Sequence, residues 1–270
     1  MVKQKTIIRV IDEYLDKSHQ SLSIHLSFPK VEKAFNDFHK ETCDKKIRKT
    51  EKGIVVDKDG NKIYEKSDRR KGSVSWSISK LKDLYDEYGE LNMTHNHPRG
   101  DDRIVTECLS AGDVRFMFLN KHRPYGKRPD GSEGFLTDDD VYLLKSISCE
   151  SPNGSRMTLT RGDKFNKANE NKVLSLGGKL ENTFVDYMSK YYKTRNEVRN
   201  GISEEQFNKQ FRKPNGAMDF DKFHDYISQE SLKKVGRFED SKEFKEIQKE
   251  FRENDCMLTM DFPYPYTLKD

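Results

Sequence analysis

The feature that most constrains the fold is a change of hydrophobic period near residue 163. Between about 45 and 162 the apolar residues come in short runs and alternations. "KGIVVDKDGNKIYEK" (52–66) is two such runs about a D-x-D-G-N turn, the pattern of a β-hairpin. The alternation of Val74, Trp76 and Ile78 predicts a strand over 72–79. "SKLKDLYDEYG" (79–89) predicts a helix ending at Gly89, and "ELNMT" (90–94) a short strand. "LSAGDVRFMFLN" (109–120) starts a helix, and the Pro-, Gly- and Arg-rich stretch 121–140 reads as an exposed loop. Residues 139–151 and 155–161 read as two strands joined by a Pro-Asn-Gly turn. From 164 to 255 the spacing is helical, over roughly 166–200, 203–212, 217–235 and 240–254, with a last strand at 256–262. Upstream, helices over 3–15 and 29–43 flank a short strand at 21–28 that contains His25. The chain is thus expected to be α+β (α/β-like). It divides into an N-terminal helical arm (1–44), a strand-rich domain (45–162) and a mostly helical C-terminal region (163–270).

Composition narrows the function classes. Of 270 residues 36% are charged and 33% hydrophobic, and mean hydropathy is −0.98, so the core is expected to be modest and the helices well solvated. Net charge is only +4 and Lys and Glu are interspersed, which disfavours the clustered basic face that nucleic acid requires. No apolar stretch has the length of a membrane-spanning helix, and the N-terminus lacks the apolar core of a secretory signal. Cys43, Cys108, Cys149 and Cys256 are far apart, as expected of reduced thiols in a cytoplasmic protein. "DKDGN" lacks the closing glutamate of a calcium loop and reads as a turn.

The chemistry concentrates in "NMTHNHPRGD" (92–101). His95 and His97 are two apart, so on an extended segment both imidazoles point to one side and can share a cation. Pro98 ends the strand. Asp113, in the first turn of the next helix, offers a carboxylate, with Ser110 three residues before it. Two histidines and one carboxylate leave a coordination position open, as in catalytic rather than structural zinc sites. The same Ser110–Asp113 pair also reads as a helix capping box. His19, His39, His122 and His224 stand alone among charged residues and read as surface or helix-face histidines; Cys108 reads as a packing residue.

"THNHP" followed by S-x-x-D resembles the signature of the JAMM/MPN+ zinc metalloproteases, H-x-H-P…S-x-x-D with an upstream glutamate. It is most similar to the bacterial and phage branch, which includes RadC-like proteins and domains attached to phage head proteins and polymorphic toxins. "TEKGIVVDKDGNKIY" places Glu51 where that branch carries its glutamate, and the resemblance covers roughly residues 45–162. It implies a JAB/MPN-type sheet flanked by helices, with Zn²⁺ held by His95, His97 and Asp113. It makes Glu51 the general base for the attacking water and Ser110 a stabiliser of the tetrahedral oxyanion. The implied activity is cleavage of a peptide or isopeptide bond in a protein or peptide substrate. The branch also implies phage or mobile-element protein partners, and a cytoplasmic or virion location. An accessory protein using the domain for protein contacts, or a RadC-like DNA-associated protein, are the other readings. One departure is the longer stretch "RGDDRIVTECL" between Pro98 and Ser110. It either loops outward, covers the cleft as a flap, or supplies Asp101 or Asp102 as third ligand in place of Asp113. Glu65, Glu87 and Glu90 are the rival bases.

Overall fold

The computed structural model of the protein describes residues 29–43, 51–67, 76–97, 108–151 and 154–261. The helix expected at 3–15, the strand at 21–28 and His19 lie outside these residues. So do Asp101 and Asp102.

A six-stranded mixed sheet organises the chain, in the order β10-β9-β8-β3-β1-β2. The strands are β1 (Lys52–Val56), β2 (Lys62–Ser67), β3 (Leu91–Asn96), β8 (Leu144–Glu150), β9 (Arg156–Arg161) and β10 (Cys256–Asp261). All neighbours are antiparallel except β3 and β8, which run parallel with His95 beside Cys149 and Asn96 beside Glu150. The hairpin turn forms as the D-x-D-G-N pattern predicts. The Asp57 carboxylate accepts from the backbone N–H of Asp59 (2.8 Å) and Asn61 (2.9 Å) and from the Asn61 amide (2.8 Å). Gly60 takes φ +77°, and a Cβ there would strike the Lys30 carbonyl at 2.3 Å.

Helices cover both faces. One face carries Val55, Met93, Ile147, Cys149, Met157 and Leu159 and builds the main core. It packs against α2 (Ile78–Tyr88), α3 (Ala111–Leu119), α4 (Lys167–Asn200) and α7 (Lys242–Glu253). In α7 the apolar stripe Phe244, Ile247 and Phe251 is fully buried. Each such side chain stabilises the fold by about 1.5–3 kcal/mol relative to exposure. On the other face α1 (Pro29–Cys43) lays Val31, Phe35 and Phe38 on Ile54 and Val56 of β1. Lys52 ties this face together, its ammonium 2.7 Å from both Glu41 of α1 and Glu65 of β2. A third small cluster joins the end of α4 to α5 (Glu204–Phe211) and α6 (Phe220–Val235) through Val198, Phe211, Phe223 and Ile227.

Three expectations are corrected. Residues 78–79 begin α2 rather than end a strand: the Ser77 hydroxyl accepts from the Lys80 N–H, and Leu81 and Leu84 turn inward at helical spacing. The stretch 121–140 is not a bare loop but folds into two short ribbons. β4 (Lys121–His122) pairs with β7 (Val141–Tyr142), and β5 (Tyr125–Lys127) with β6 (Glu133–Phe135). Of the two placements expected of His39, the helix face holds and the surface does not; it is 1% exposed, because α1 presses it against Glu150. Cys108, Cys149 and Cys256 are buried and form no disulfide among the described residues. Burial pushes the Cys256 thiol up to about 12.

Candidate metal centre

The register of β1 on β3 gathers the site. Gly53 pairs with His95, so Glu51, two residues earlier, projects to the same face as His95 and His97. The Lys52 N–H donates to the Asn96 side chain at 2.8 Å, and the His97 N–H to the Glu150 carbonyl at 3.1 Å, which fix both strand ends. Asp113 arrives from the front, in the first turn of α3.

The side chains converge. His95 Nε2 lies 3.2 Å from His97 Nε2 and 3.4 Å from Asp113 Oδ1. All three donor atoms fall within 4.8 Å of one another, so this group can hold a metal ion. Donors held at about 2.05 Å in a tetrahedral shell stand about 3.3 Å apart. Glu51 Oε1 is 4.0 Å from His95 Nε2, and Glu51 is only 9% exposed. The rival glutamates are elsewhere. Glu65 faces Lys52 and Lys62 on the other side of the sheet, Glu90 pairs with Arg161 at 2.6 Å, and Glu87 is exposed on α2.

The two readings of Ser110–Asp113 are compatible, because they call on different atoms. Asp113 Oδ2 accepts from the Ser110 N–H (2.8 Å) and hydroxyl (2.7 Å), while Ser110 Oγ accepts from the Asp113 N–H (3.1 Å). That is a complete capping box. It leaves Oδ1 turned toward His95. The Ser110 hydroxyl proton is therefore directed at Asp113, and an oxyanion role requires that hydroxyl to rotate.

Protonation suits a cation. Burial holds His95 below the usual imidazole range, hence neutral. Burial works against ionisation of Asp113, but the charge that His95 and His97 carry when protonated, with the two Ser110 donors, outweighs it and keeps the carboxyl below its ordinary value. A neutral imidazole and an ionised carboxylate are the ligand forms a metal needs. His95 Nδ1 is buried without a well-formed hydrogen bond, although the nearby Ser148 carbonyl favours its protonation. A ligating imidazole uses such an acceptor to fix its tautomer.

Several supports carried no motif in the sequence. Trp76 stands over Gly53, where a Cβ would meet its ring at 2.5 Å, so the indole walls the site on the β1 side. Ala111 N–H donates to Glu181 of α4 at 2.9 Å, which pins the helix that carries Asp113. Gly177 lets α4 close on α3, since a Cβ there would lie 2.8 Å from Val114. Behind β3, Glu150 accepts from Thr94 (3.0 Å) and Arg156 (2.6 Å) and pairs with His39 (2.8 Å), all buried. His122 bonds Asp86 and His224 bonds Arg195, so neither joins the centre.

Neither family models, curated proteins nor solved structures gave a match to this chain. Among the described residues no helix is long and apolar enough to cross a membrane.

Proposed function

We propose that the protein is a zinc-dependent hydrolase of peptide or isopeptide bonds, of the JAMM/MPN+ type its sequence resembles. The observation that carries this reading is the convergence of His95, His97 and Asp113 with Glu51 at 4.0 Å from His95. The donor separations of 3.2 and 3.4 Å suit a small tetrahedral ion, and the N₂O donor set is that of catalytic zinc. His95, His97 and Asp113 would hold the ion. A bound Zn²⁺ supplies Lewis acidity, polarising a carbonyl and acidifying water beside it.

The protein's own groups do the rest. Glu51, an enclosed carboxylate beside the triad, would take a proton from the attacking water. The same carboxyl can return that proton to the departing amine, so one group serves as base and then acid. The Ser110 hydroxyl, rotated away from Asp113, donates to the developing oxyanion. Trp76 bars water from the β1 side of the reacting centre.

The test combines elemental analysis with Glu51→Gln and His97→Ala. The wild-type chain, expressed with ample zinc, is expected to carry about one zinc per chain, His97→Ala none, and Glu51→Gln the wild-type amount. Against a panel of fluorogenic peptides and isopeptide-linked conjugates, Glu51→Gln is expected to lose about 10²–10⁴-fold in turnover. Wild-type protein that stays metal-free, or that fills with iron in preference to zinc, overturns the reading.

A further inference from the structure

The sheet face turned away from the metal centre is unusual where it leaves the cover of α1. A sheet face is ordinarily either apolar and packed or polar and wet. Here Asn92, Ser146, Thr158, Thr160 and Thr259 share one face of β3, β8, β9 and β10, and together with Glu32 of α1 they line a cleft. The cleft is small, about 80 Å³, and opens to solvent at its mouth.

Arg156 lines the same cleft and is only 3% exposed. Its Nε donates to Glu150, and its Nη2 is buried without a hydrogen-bond partner. Glu150 does not supply the missing acceptor: its Oε1 takes Arg156 Nε and Thr94, and its Oε2 pairs with His39. An orphaned donor on a buried cation calls for an acceptor from outside the chain. Asn92 is oriented by the Ser146 hydroxyl, which donates to Oδ1 at 2.7 Å and leaves the amide NH₂ as a donor.

We propose that this cleft is a second binding site, which takes a small carboxylate with Arg156 as its ionic partner. A guanidinium edge matches a carboxylate in shape and charge. Val31, Phe35 and Met257 line the cleft beside the hydroxyls and the amide, which suits a carboxylate with a short apolar tail. Glu32 and Asp261 also line the cleft, and their charge disfavours a doubly charged phosphate against a singly charged carboxylate. The site is independent of the metal centre, from which the sheet separates it.

The experiment is a titration of the full-length chain with sodium acetate, followed through threonine and methionine methyl signals in NMR spectra. Sodium chloride and inorganic phosphate at matched ionic strength are the controls. Saturable shifts at Thr158, Thr160, Met257 and Thr259 are expected from acetate alone, with millimolar affinity. Arg156→Lys is expected to weaken that affinity at least tenfold. Because Arg156 also holds Glu150, Thr160→Val, at a partly exposed position, serves as a second variant and is expected to weaken binding severalfold. Shifts that fail to saturate, that chloride reproduces, or that survive unchanged in Thr160→Val overturn the proposal.

Discussion

Replacing Asp113 by asparagine separates the two jobs its carboxylate holds. Oδ2 is the acceptor of the capping box, and Oδ1 faces His95 at 3.4 Å. Asparagine is isosteric and keeps one acceptor oxygen. That oxygen can serve the Ser110 N–H, which turns the amide NH₂ toward the histidines. The fold should therefore hold: a retained cap limits the loss to under about 1 kcal/mol. Asp113→Ala keeps the Ser110 cap but removes the carboxylate half of the box and strands the Ser110 N–H, for about 2 kcal/mol in all. Metal affinity should order the variants differently. Loss of a supporting partner behind a ligand costs about 10–100-fold, and loss of the ligand itself at least the upper end of that. Both variants are thus expected to bind at least about 100-fold more weakly. Trp76, the one tryptophan in the chain, lies over Gly53 beside the centre, so Co²⁺ quenching of its emission reports binding directly. Melting in chelator and in excess zinc supplies the stability arm, since ligand at 100 times Kd adds about 2.7 kcal/mol. Asp113→Asn that melts like wild type and binds within threefold of it would refute the assignment. The carboxylate would then be a cap and nothing more, and Asp101 or Asp102 would stand as ligand.

Gly53→Ala should displace the Trp76 ring, which a Cβ would meet at 2.5 Å; about 1–3 kcal/mol of stability and a red shift in emission are expected, and unchanged emission would contradict the packing. His39→Ala removes a buried hydrogen bond to Glu150 and should destabilise by about 2 kcal/mol in urea unfolding, where a true surface histidine would register almost nothing. For Asp57, burial opposes ionisation, but hydrogen bonds from Asn61, Asp59 and Gly60 outweigh it, so the folded pKa lies below the unfolded one. Its contribution is complete above the unfolded value of about 3.9 and fades as pH falls through the folded value. Asp57→Asn should flatten that part of the acid limb of stability against pH, and an unaltered limb would show that the turn carries no such linkage.

Much of this was legible because the periods were clean. The turn residues of 57–61, the Gly89 stop and the helical spacing after 164 each state a local rule that the tertiary structure does not override. The candidate ligands were legible for the same reason, since His95 and His97 obey strand parity and Asp113 sits where a capping box puts it. What failed was non-local. Trp76 alternates with Val74 and Ile78 as a strand would, but Ser77 caps a helix, and the indole is needed over a glycine two dozen residues upstream. His39 stands among charged residues in the sequence, yet its partner Glu150 is 111 positions away. Glu181 and Gly177 look like ordinary helix residues until α3 is laid against them. Pairings across such distances leave no period to read.

The placement of β10 has a consequence for how the protein is made. β9 ends at Arg161, and its outer partner is not complete until Asp261. At about 5–20 residues per second, a ribosome needs on the order of 5–20 s to span that gap. During that time β9 presents an open row of backbone donors and acceptors at the edge of the newly made sheet. Stalling, truncation or a stop codon within the helical region would leave that edge bare for good. The resulting fragment would retain every candidate ligand and still be prone to pair with its neighbours.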